Sequence, residues 1–289
     1  MSKPQQKDLG KALLEIQNKI RERMKKVKYK IAVMSGKGGV GKTTIATNLA
    51  FALALKNFKV GLLDADIYGP DVPIAAGIKE KYPIVMDGAI IPFKGPLDVK
   101  IMSIQFLLEH DDDPVIWRGP LVARAIQQFI SDVAWDELDF LIIDLPPGTG
   151  DEPLTVMQYI PGLTGIIIVV TPQRIALHDA KKAVKMAKIV GVPVLGIIEN
   201  MRGFICPHCG KVTYVFGSGG GEEAAKELGV PFLGHLPLDP RVVKLTDEGQ
   251  PFISNSQEEI SKRFMNIVEN LLNVIKQIET STNKNERKE

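Results

Sequence analysis

Residues 36–43 read Gly-Lys-Gly-Gly-Val-Gly-Lys-Thr, and this stretch decides the fold. It fits the nucleotide-binding pattern G-x-x-x-x-G-K-[ST], which requires a strand before it and a helix after it. The apolar run at residues 30–34 predicts a buried strand, and residues 44–55 predict a helix. The sequence therefore predicts a phosphate-binding loop at a strand-to-helix junction.

Each residue type in this loop suits a nucleoside triphosphate. Glycines let backbone N–H groups curl around phosphate oxygens without Cβ clashes. Lys42 can reach the β- and γ-phosphates, Thr43 can bind Mg²⁺, and the N-terminus of the following helix adds partial positive charge. The residues expected to contact the nucleotide here are Gly36, Lys37, Gly38, Gly39, Val40, Gly41, Lys42, Thr43 and Thr44.

The loop is unusual because it carries a second lysine, Lys37, directly after its first glycine. An ammonium group next to that of Lys42 is repelled by it unless a further anion needs neutralising. Lys37 is therefore interpreted either as a group that acts on another phosphate or as a solvated surface lysine.

Composition permits one large domain and suggests no strongly charged partner. The chain has 289 residues, of which 45% are apolar, and a formal net charge of +2. That apolar content suffices for a full core, and the balanced charge favours neither a nucleic-acid nor a membrane partner. The N-terminus lacks an apolar signal core and no run of about eighteen apolar residues occurs, so a cytoplasmic location is expected.

Apolar runs separated by helical segments predict the rest of the fold. Strands are predicted at residues 60–63, 99–103, 140–143, 165–170, 194–198 and 232–236. Unbroken Val, Ile and Leu runs with helices between them are typical of a mostly parallel sheet covered by helices on both faces. Residues 82–98, rich in Pro and Gly, predict a hairpin or irregular insertion. The predicted fold class is α/β.

Both ends of the chain are expected to extend beyond a single ATPase domain at residues 29–279. Residues 1–28 are predicted to form an amphipathic helical extension. Its apolar positions at helical spacing are Leu13, Ile16, Ile20, Met24 and Val27. A last helix is predicted with Ser256 as its N-cap, and residues 280–289 are predicted to be a disordered polar tail.

Acidic residues follow two predicted strands at the edge where parallel sheets carry their chemistry. Asp64 and Asp66 follow one strand, and Asp144 follows another. Asp144 is expected to hold the Mg²⁺ shell. Asp66 lies on the loop nearest a water that could attack the γ-phosphate, whereas Asp64 is interpreted as either a structural or a functional acid. The guanine-reading motif Asn-Lys-x-Asp is absent, so ATP is the expected nucleotide.

The two cysteines of the chain, Cys206 and Cys209, lie in one Cys-x-x-Cys motif within an insertion at residues 203–210. Two thiolates hold only one edge of a tetrahedral site, which needs four ligands, and His208 would add at most a third. A two-fold dimer supplies four thiolates, which suit Zn²⁺ or an iron–sulfur cluster equally on ligand count. A thioredoxin-like dithiol is less favoured because no helix begins at the motif.

Together these motifs resemble those of the Mrp/ApbC iron–sulfur carrier ATPases, which belong to the MinD/ParA class of P-loop NTPases. The resemblance spans about residues 30–275. The motifs that carry it are the two-lysine loop, residues 64–70, 117–120, 144–151 and 199–201, and the Cys-x-x-Cys pair.

The resemblance implies an ATP-bridged homodimer in which Lys37 reaches the nucleotide of the partner subunit. It also implies that Asp66 positions the attacking water and that Asn200 contacts adenine. The cysteines of both subunits would then bind a [4Fe–4S] cluster across the interface and deliver it to apo-proteins, with slow ATP hydrolysis timing the transfer.

Two other functions stay open at this point. The first is a MinD- or ParA-like spatial regulator, but residues 281–289 lack the apolar face of a membrane-binding helix. Near-neutral charge does not favour DNA binding either, and neither regulator explains the cysteine pair. The second is an ATPase with a purely structural Zn²⁺ at the same cysteines.

Overall fold

One eight-stranded sheet organises the chain. The structure is a computed structural model, and it describes residues 3–110, 113, 115–117 and 119–286. The strands of the described residues are β1 (Val27–Ser35), β2 (Val60–Asp64), β3 (Val85–Met86), β4 (Ala89–Ile90), β5 (Phe93–Lys94), β6 (Lys100–Met102), β7 (Leu138–Asp144), β8 (Gly165–Val170), β9 (Val194–Glu199), β10 (Phe204–Ile205), β11 (Val212–Thr213) and β12 (Phe232–His235). Eight of these strands form the sheet, whereas β3 with β4 and β10 with β11 form two separate hairpins. The α-helices are α1 (Lys3–Lys25), α2 (Lys42–Leu55), α3 (Val72–Ala75), α4 (Gly119–Ser131), α5 (Asp151–Tyr159), α6 (Arg174–Ile189), α7 (Gly220–Leu228), α8 (Pro240–Asp247) and α9 (Glu259–Glu286).

The strand order of the sheet places the phosphate-binding loop at its centre. The order is β12-β9-β8-β1-β7-β2-β6-β5, and β5 alone pairs antiparallel with its neighbour. β1 lies between β7 and β8, so the chain after β1 leaves the sheet where the strand order reverses. Such a switch point opens a crevice at the carboxyl ends of the strands, where ligands bind in sheets of this kind.

Both faces of the sheet are covered. Every residue of β2 and of β8 is buried, and because successive side chains in a strand point to opposite faces, each face must carry a layer. α2 packs against β7, β2 and β1 as well as α9, whereas α1 packs against α4, and α6 against α7. In the part of the chain that the structure describes, no helix is both long and apolar enough to span a bilayer.

The predicted fold class is confirmed, and the predicted strands lie close to the observed ones. Each of the six strands predicted after the phosphate-binding loop lies within two residues of its observed bounds. The predicted insertion at residues 82–98 contains the β3–β4 hairpin and the antiparallel edge strand β5. Unbroken apolar runs thus located the central strands to within two residues.

The boundary after the first helix was predicted wrongly. α1 ends at Lys25, and Val27, which the helical spacing had included, is the first residue of β1 and pairs with Leu138. The Val27 side chain is buried in the core. An apolar residue next to a helix end fits both the spacing of an amphipathic helix and the burial of a strand, which explains the error. The side chain of Leu13 lies outside the described residues.

The last helix also differs from its prediction at both ends. α9 begins at Glu259, so Ser256 is not its N-cap. Instead, the Asn255 side chain accepts a hydrogen bond from the Gln257 N–H in the preceding turn. The helix continues to Glu286, so the prediction of a disordered tail is wrong for residues 280–286. The Thr280 and Ser281 hydroxyls donate to the Lys276 and Gln277 carbonyls one turn earlier in the helix, and residues 287–289 lie outside the described residues.

Candidate functional site

The phosphate-binding loop leaves its backbone open to a ligand. Gly39 and Gly41 have φ of 76° and 85°, which glycine adopts without strain. A Cβ atom built on Gly38 or Gly39 would meet no atom within 4 Å, whereas one on Gly41 would lie 2.4 Å from Asn200 Nδ2. The loop therefore borders free space at Gly38 and Gly39, open to a ligand, and packs tightly on Asn200 at Gly41.

Lys42, Thr43, Asp66 and Asp144 meet at the start of α2. Lys42 Nζ lies 2.7 Å from Asp144 Oδ1 and 3.9 Å from Asp66 Oδ2. The Thr43 hydroxyl donates to Asp144 Oδ2 at 2.7 Å. The strand order explains why these four residues are close, because β7 pairs with both β1 and β2 and so brings the carboxyl ends of the three strands together. The sequence predicted these four residues separately, and the fold assembles them.

The donor set around Asp144 fits Mg²⁺ bound with a nucleotide. Mg²⁺ takes one or two protein oxygens and completes its octahedron with phosphate and water oxygens. The Thr43 hydroxyl and the Asp144 carboxylate supply such oxygens side by side. Among the described residues no group of three or more His, Cys, Asp and Glu side chains could hold a metal by itself. This pair suits a metal that arrives with its phosphates.

Asp64 and Asp66 have different surroundings although they are two residues apart. Asp64 is buried and accepts hydrogen bonds from the Ser103 hydroxyl at 2.9 Å and from the Val72 N–H at 3.3 Å. Burial raises the pKa of Asp64 well above its usual value. Burial also raises the pKa of Asp66, to about 6, but this side chain is partly open. Asp64 is thus tied into the structure, and Asp66 faces the site.

A cavity lies beside Asn200. The Asn200 side chain donates to the Val40 carbonyl at 2.9 Å. Next to it is a cavity of about 230 Å³, whose walls include Gly41, Thr44, Leu238 and Val242. The sequence indicated Asn200 but missed the wall at residues 236–243, because the turn before α8 carries no nucleotide motif. The cavity joins the phosphate-binding loop through Gly41.

Lys37 stands apart from the carboxylates. Its ammonium group donates to Gln173 Oε1 at 3.0 Å, at the loop before α6. The side chain is half-buried and lies next to the open backbone of Gly38 and Gly39. The structure therefore brings Lys37 to the rim of the loop rather than to the cluster around Lys42.

The two cysteines lie on an exposed hairpin formed by β10 and β11. The Cys206 N–H donates to the Lys211 carbonyl at 3.0 Å, and the Gly210 N–H donates to the Cys206 carbonyl at 2.9 Å. Cys209 is exposed and Cys206 is half-buried. Hydrogen bonds from the backbone N–H groups of Cys209 and His208 lower the pKa of the Cys206 thiol. The sequence analysis considered only a helix N-terminus as a cause of a lowered thiol pKa, but here the N–H groups of a hairpin turn lower it. They favour the thiolate, which is the form that binds metals.

The part of the sequence that carries the phosphate-binding loop and the cysteine hairpin matches a known family model. The model describes the NUBPL iron-transfer P-loop NTPases of the ParA class and covers residues 26–272. This chain belongs to that family. As an iron-transfer P-loop NTPase it combines the loop around Lys42 with the Cys206–Cys209 pair, as the resemblance of its motifs predicted.

Individual relatives of this iron-transfer NTPase cover most of its length. An iron–sulfur cluster carrier protein of Methanocaldococcus jannaschii is 52% identical over 265 residues, which are 91% of each chain. A nucleotide-binding protein of Archaeoglobus fulgidus, solved in complex with ADP, is 42% identical, with a TM-score of 0.75 over 86% of this chain and 96% of that one. The cell division protein MinD of Aquifex aeolicus shares the fold at 21% identity, with a TM-score of 0.62 over 85% of this chain and 97% of that one.

The predicted motif at residues 117–120 is only partly visible in the iron-transfer NTPase. Tyr68, which follows the Asp66 loop, donates from its hydroxyl to the Trp117 carbonyl at 2.7 Å. Arg118 lies outside the described residues. The segment before α4 is thus tied to the loop that carries Asp66.

Proposed function

We propose that this chain is an ATP-hydrolysing carrier that holds a [4Fe–4S] cluster between two copies of itself and delivers it to apo-proteins. The observation that carries the proposal is the exposed pair of thiols, Cys206 and Cys209, held by backbone hydrogen bonds at the end of a hairpin. In the described part of the chain, no third His, Cys, Asp or Glu joins them in a metal-binding group. A second copy related by a two-fold axis supplies the two missing thiolates.

The exposed position of the hairpin supports transfer rather than a structural role. A structural metal typically contributes to folding and is closed in by the protein. Here the hairpin is a two-stranded unit outside the main sheet, and Val212 and Tyr214 next to the cysteines are more than half exposed. A cluster held there would be accessible to an acceptor protein.

The residues at the carboxyl edge of the sheet support binding and hydrolysis of ATP. Bound MgATP supplies the anhydride bond whose hydrolysis switches the carrier. Lys42 would neutralise the β- and γ-phosphates, and Thr43 and Asp144 would hold Mg²⁺. Asp66, 3.9 Å from Lys42 Nζ, would orient a water for in-line attack. Asn200 would contact adenine from the wall of the adjoining cavity.

Activation of an apo-enzyme that needs a [4Fe–4S] centre tests the proposed function. The carrier, loaded anaerobically, is expected to restore activity faster than the same amounts of free iron and sulfide. A regulator of the MinD or ParA kind would give no activation above the free-ion control.

Replacing Asp66 by alanine is expected to retain ATP binding and to lower the turnover number by at least about 100-fold, because only water positioning is removed. Calorimetry should find a dissociation constant within about threefold of wild type, and phosphate release should report the lost turnover. Asp71, at the end of the same loop, offers the matched control, and Asp71→Ala should hydrolyse normally. Wild-type turnover in Asp66→Ala would move the role elsewhere, with Asp151 as the next residue to replace.

Mixed dimers of Lys37→Ala and Asp66→Ala chains are expected to keep about half of the wild-type ATPase activity, whereas each homodimer should be nearly inactive. If Lys37 acts on the partner subunit, both defects fall on one composite site and the other site is intact. If Lys37 acts within its own subunit, each site carries one defect. Near-zero activity in heterodimers separated by two affinity tags would therefore contradict action across the interface.

A further inference from the structure

The cysteine hairpin is part of a long loop whose two ends are held together. The loop runs through residues 200–219, from the end of β9 to the start of α7. Its first turn is fixed by the Arg202 N–H, which donates to the Leu236 carbonyl at 2.8 Å. Its last residue is fixed by the Gly219 N–H, which donates to Glu199 Oε1 at 2.9 Å. Both thiols lie on the stretch of chain between these two fixed ends.

Glu199 joins the two ends. Its side chain is 0% exposed, and its Oε2 accepts no hydrogen bond from the described residues but lies 3.6 Å from Arg202 Nη1. Burial raises the pKa of this carboxyl group. The same Arg202 guanidinium reaches the exposed Glu222 Oε2 at 3.3 Å. One buried carboxylate therefore contacts the beginning of the loop through Arg202 and its end through Gly219.

The residue after Glu199 touches the phosphate-binding loop. Asn200 donates to the Val40 carbonyl at 2.9 Å, and Gly41 leaves no room for a Cβ against its amide. Met201 follows with a φ of 64°, a left-handed conformation that costs energy for a residue with a side chain. The tight turn at Met201 fixes Asn200 and Arg202 relative to each other. Val40, Asn200 and Glu199 are thus consecutive links from the nucleotide site to the cysteine loop.

We propose that Glu199 is a positioning residue that couples nucleotide at the phosphate-binding loop to the arrangement of Cys206 and Cys209. A nucleotide that moves the Val40 carbonyl displaces Asn200, and the Glu199 carboxylate makes both ends of the cysteine loop follow. The inference rests on the nucleotide-binding part of the proposed function and not on which metal the thiols bind. Coupling of this kind is reciprocal, so occupation of the thiols would also change nucleotide affinity.

The rate of thiol modification measures this coupling directly, since the chain contains only two cysteines. The full-length, metal-free protein is treated with a chromogenic disulfide reagent, with and without a saturating non-hydrolysable ATP analogue and Mg²⁺. In the wild type the analogue is expected to change the rate by at least about fivefold. In Glu199→Gln the two rates should be equal within about twofold, while calorimetry gives an analogue affinity within about threefold of wild type.

A matched variant separates coupling from a general loss of structure. Glu222→Gln removes the exposed partner of Arg202 but keeps the buried contact, so it should retain the wild-type rate ratio. A merely structural role for Glu199 would change both rates together and leave their ratio intact. Arg202→Gln removes the other partner of the buried contact, so the rates with and without the analogue should again be equal within about twofold. This variant takes the place of Glu199→Gln in the test if Glu199→Gln does not fold.

The double variant completes the test. If Glu199 and Arg202 act through one contact, the double variant should match either single variant rather than add to it. Any one of three results would overturn the proposal. The analogue could leave the modification rate of the wild type unchanged, Glu199→Gln could show the wild-type ratio of the two modification rates, or Glu199→Gln could lose analogue binding. Because the test uses no iron, it remains valid even if the protein fails to bind a cluster. Equal modification rates with and without the analogue, in turn, would not contradict the carrier function.

Discussion

Replacing Lys42 by alanine is expected to weaken ATP binding by at least about 100-fold, which corresponds to about 2.7 kcal/mol. Lys42 Nζ is the ammonium group at the junction of the open loop and the Asp144 carboxylate, 2.7 Å from Oδ1. Without it, the β- and γ-phosphates would lose the ammonium group that neutralises them together with Mg²⁺, and charge-assisted hydrogen bonds to phosphate would be lost. Titration calorimetry with MgATP measures the effect.

A folding control belongs with this variant, because Lys42 also neutralises buried acids. Lys42→Met keeps most of the side-chain volume and should show the same loss of binding with a smaller change in melting temperature. Lys56, which follows the same helix and pairs with Glu269 at the surface, provides the matched lysine. Lys56→Ala should bind ATP as the wild type does. Tight MgATP binding by folded Lys42→Ala would contradict the nucleotide site.

Replacing either Cys206 or Cys209 by alanine is expected to abolish cluster binding while ATP affinity stays within about threefold of wild type. Two-fold symmetry reduces the dimer from four thiolate ligands to two with one substitution, which is too few for a [4Fe–4S] cluster. The hairpin lies outside the main sheet, so the nucleotide site should keep its geometry. Iron and sulfide content after anaerobic reconstitution and MgATP calorimetry measure the two effects separately.

His208, between the two cysteines, is the matched control for these variants. His208→Ala should keep the cluster, since four thiolates complete the site without imidazole. A purely structural Zn²⁺ gives a different pattern, because the free energy of metal binding then contributes to folding. In that case Cys206→Ala would lower the melting temperature and ATP affinity together, and a chelator would destabilise the wild type in the same way.

The sequence named the residues of the proposed nucleotide site one by one, and the structure brings Lys42, Asp66 and Asp144 together. Lys42, Thr43 and Asp144 follow strands whose apolar runs are unmistakable, and a parallel sheet necessarily gathers their carboxyl ends. The sequence could not decide between a structural and a functional role for Asp64, because its hydrogen-bond partner Ser103 lies on a neighbouring segment. Such contacts between distant segments leave no local pattern.

The cysteine loop was understood less well from the sequence. Spacing identified Cys206 and Cys209 as a ligand pair, but the lowered pKa of the Cys206 thiol depends on backbone N–H groups in a hairpin turn. The contact between Glu199 and Gly219 was equally invisible, since it closes a loop between residues that are twenty positions apart. Helix ends were missed for a simpler reason: Val27 fits the period of a helix and the burial of a strand.

Anaerobic reconstitution with iron and sulfide, followed by visible absorption and metal analysis, tests the carrier function most directly. The expected result is a dimer with one [4Fe–4S] cluster held by four thiolates, a broad band of visible absorption, and release of the iron to an apo-acceptor without unfolding. The carrier function would be contradicted if the anaerobically purified protein contained stoichiometric zinc, took up no iron or sulfide, and could not activate an apo-enzyme.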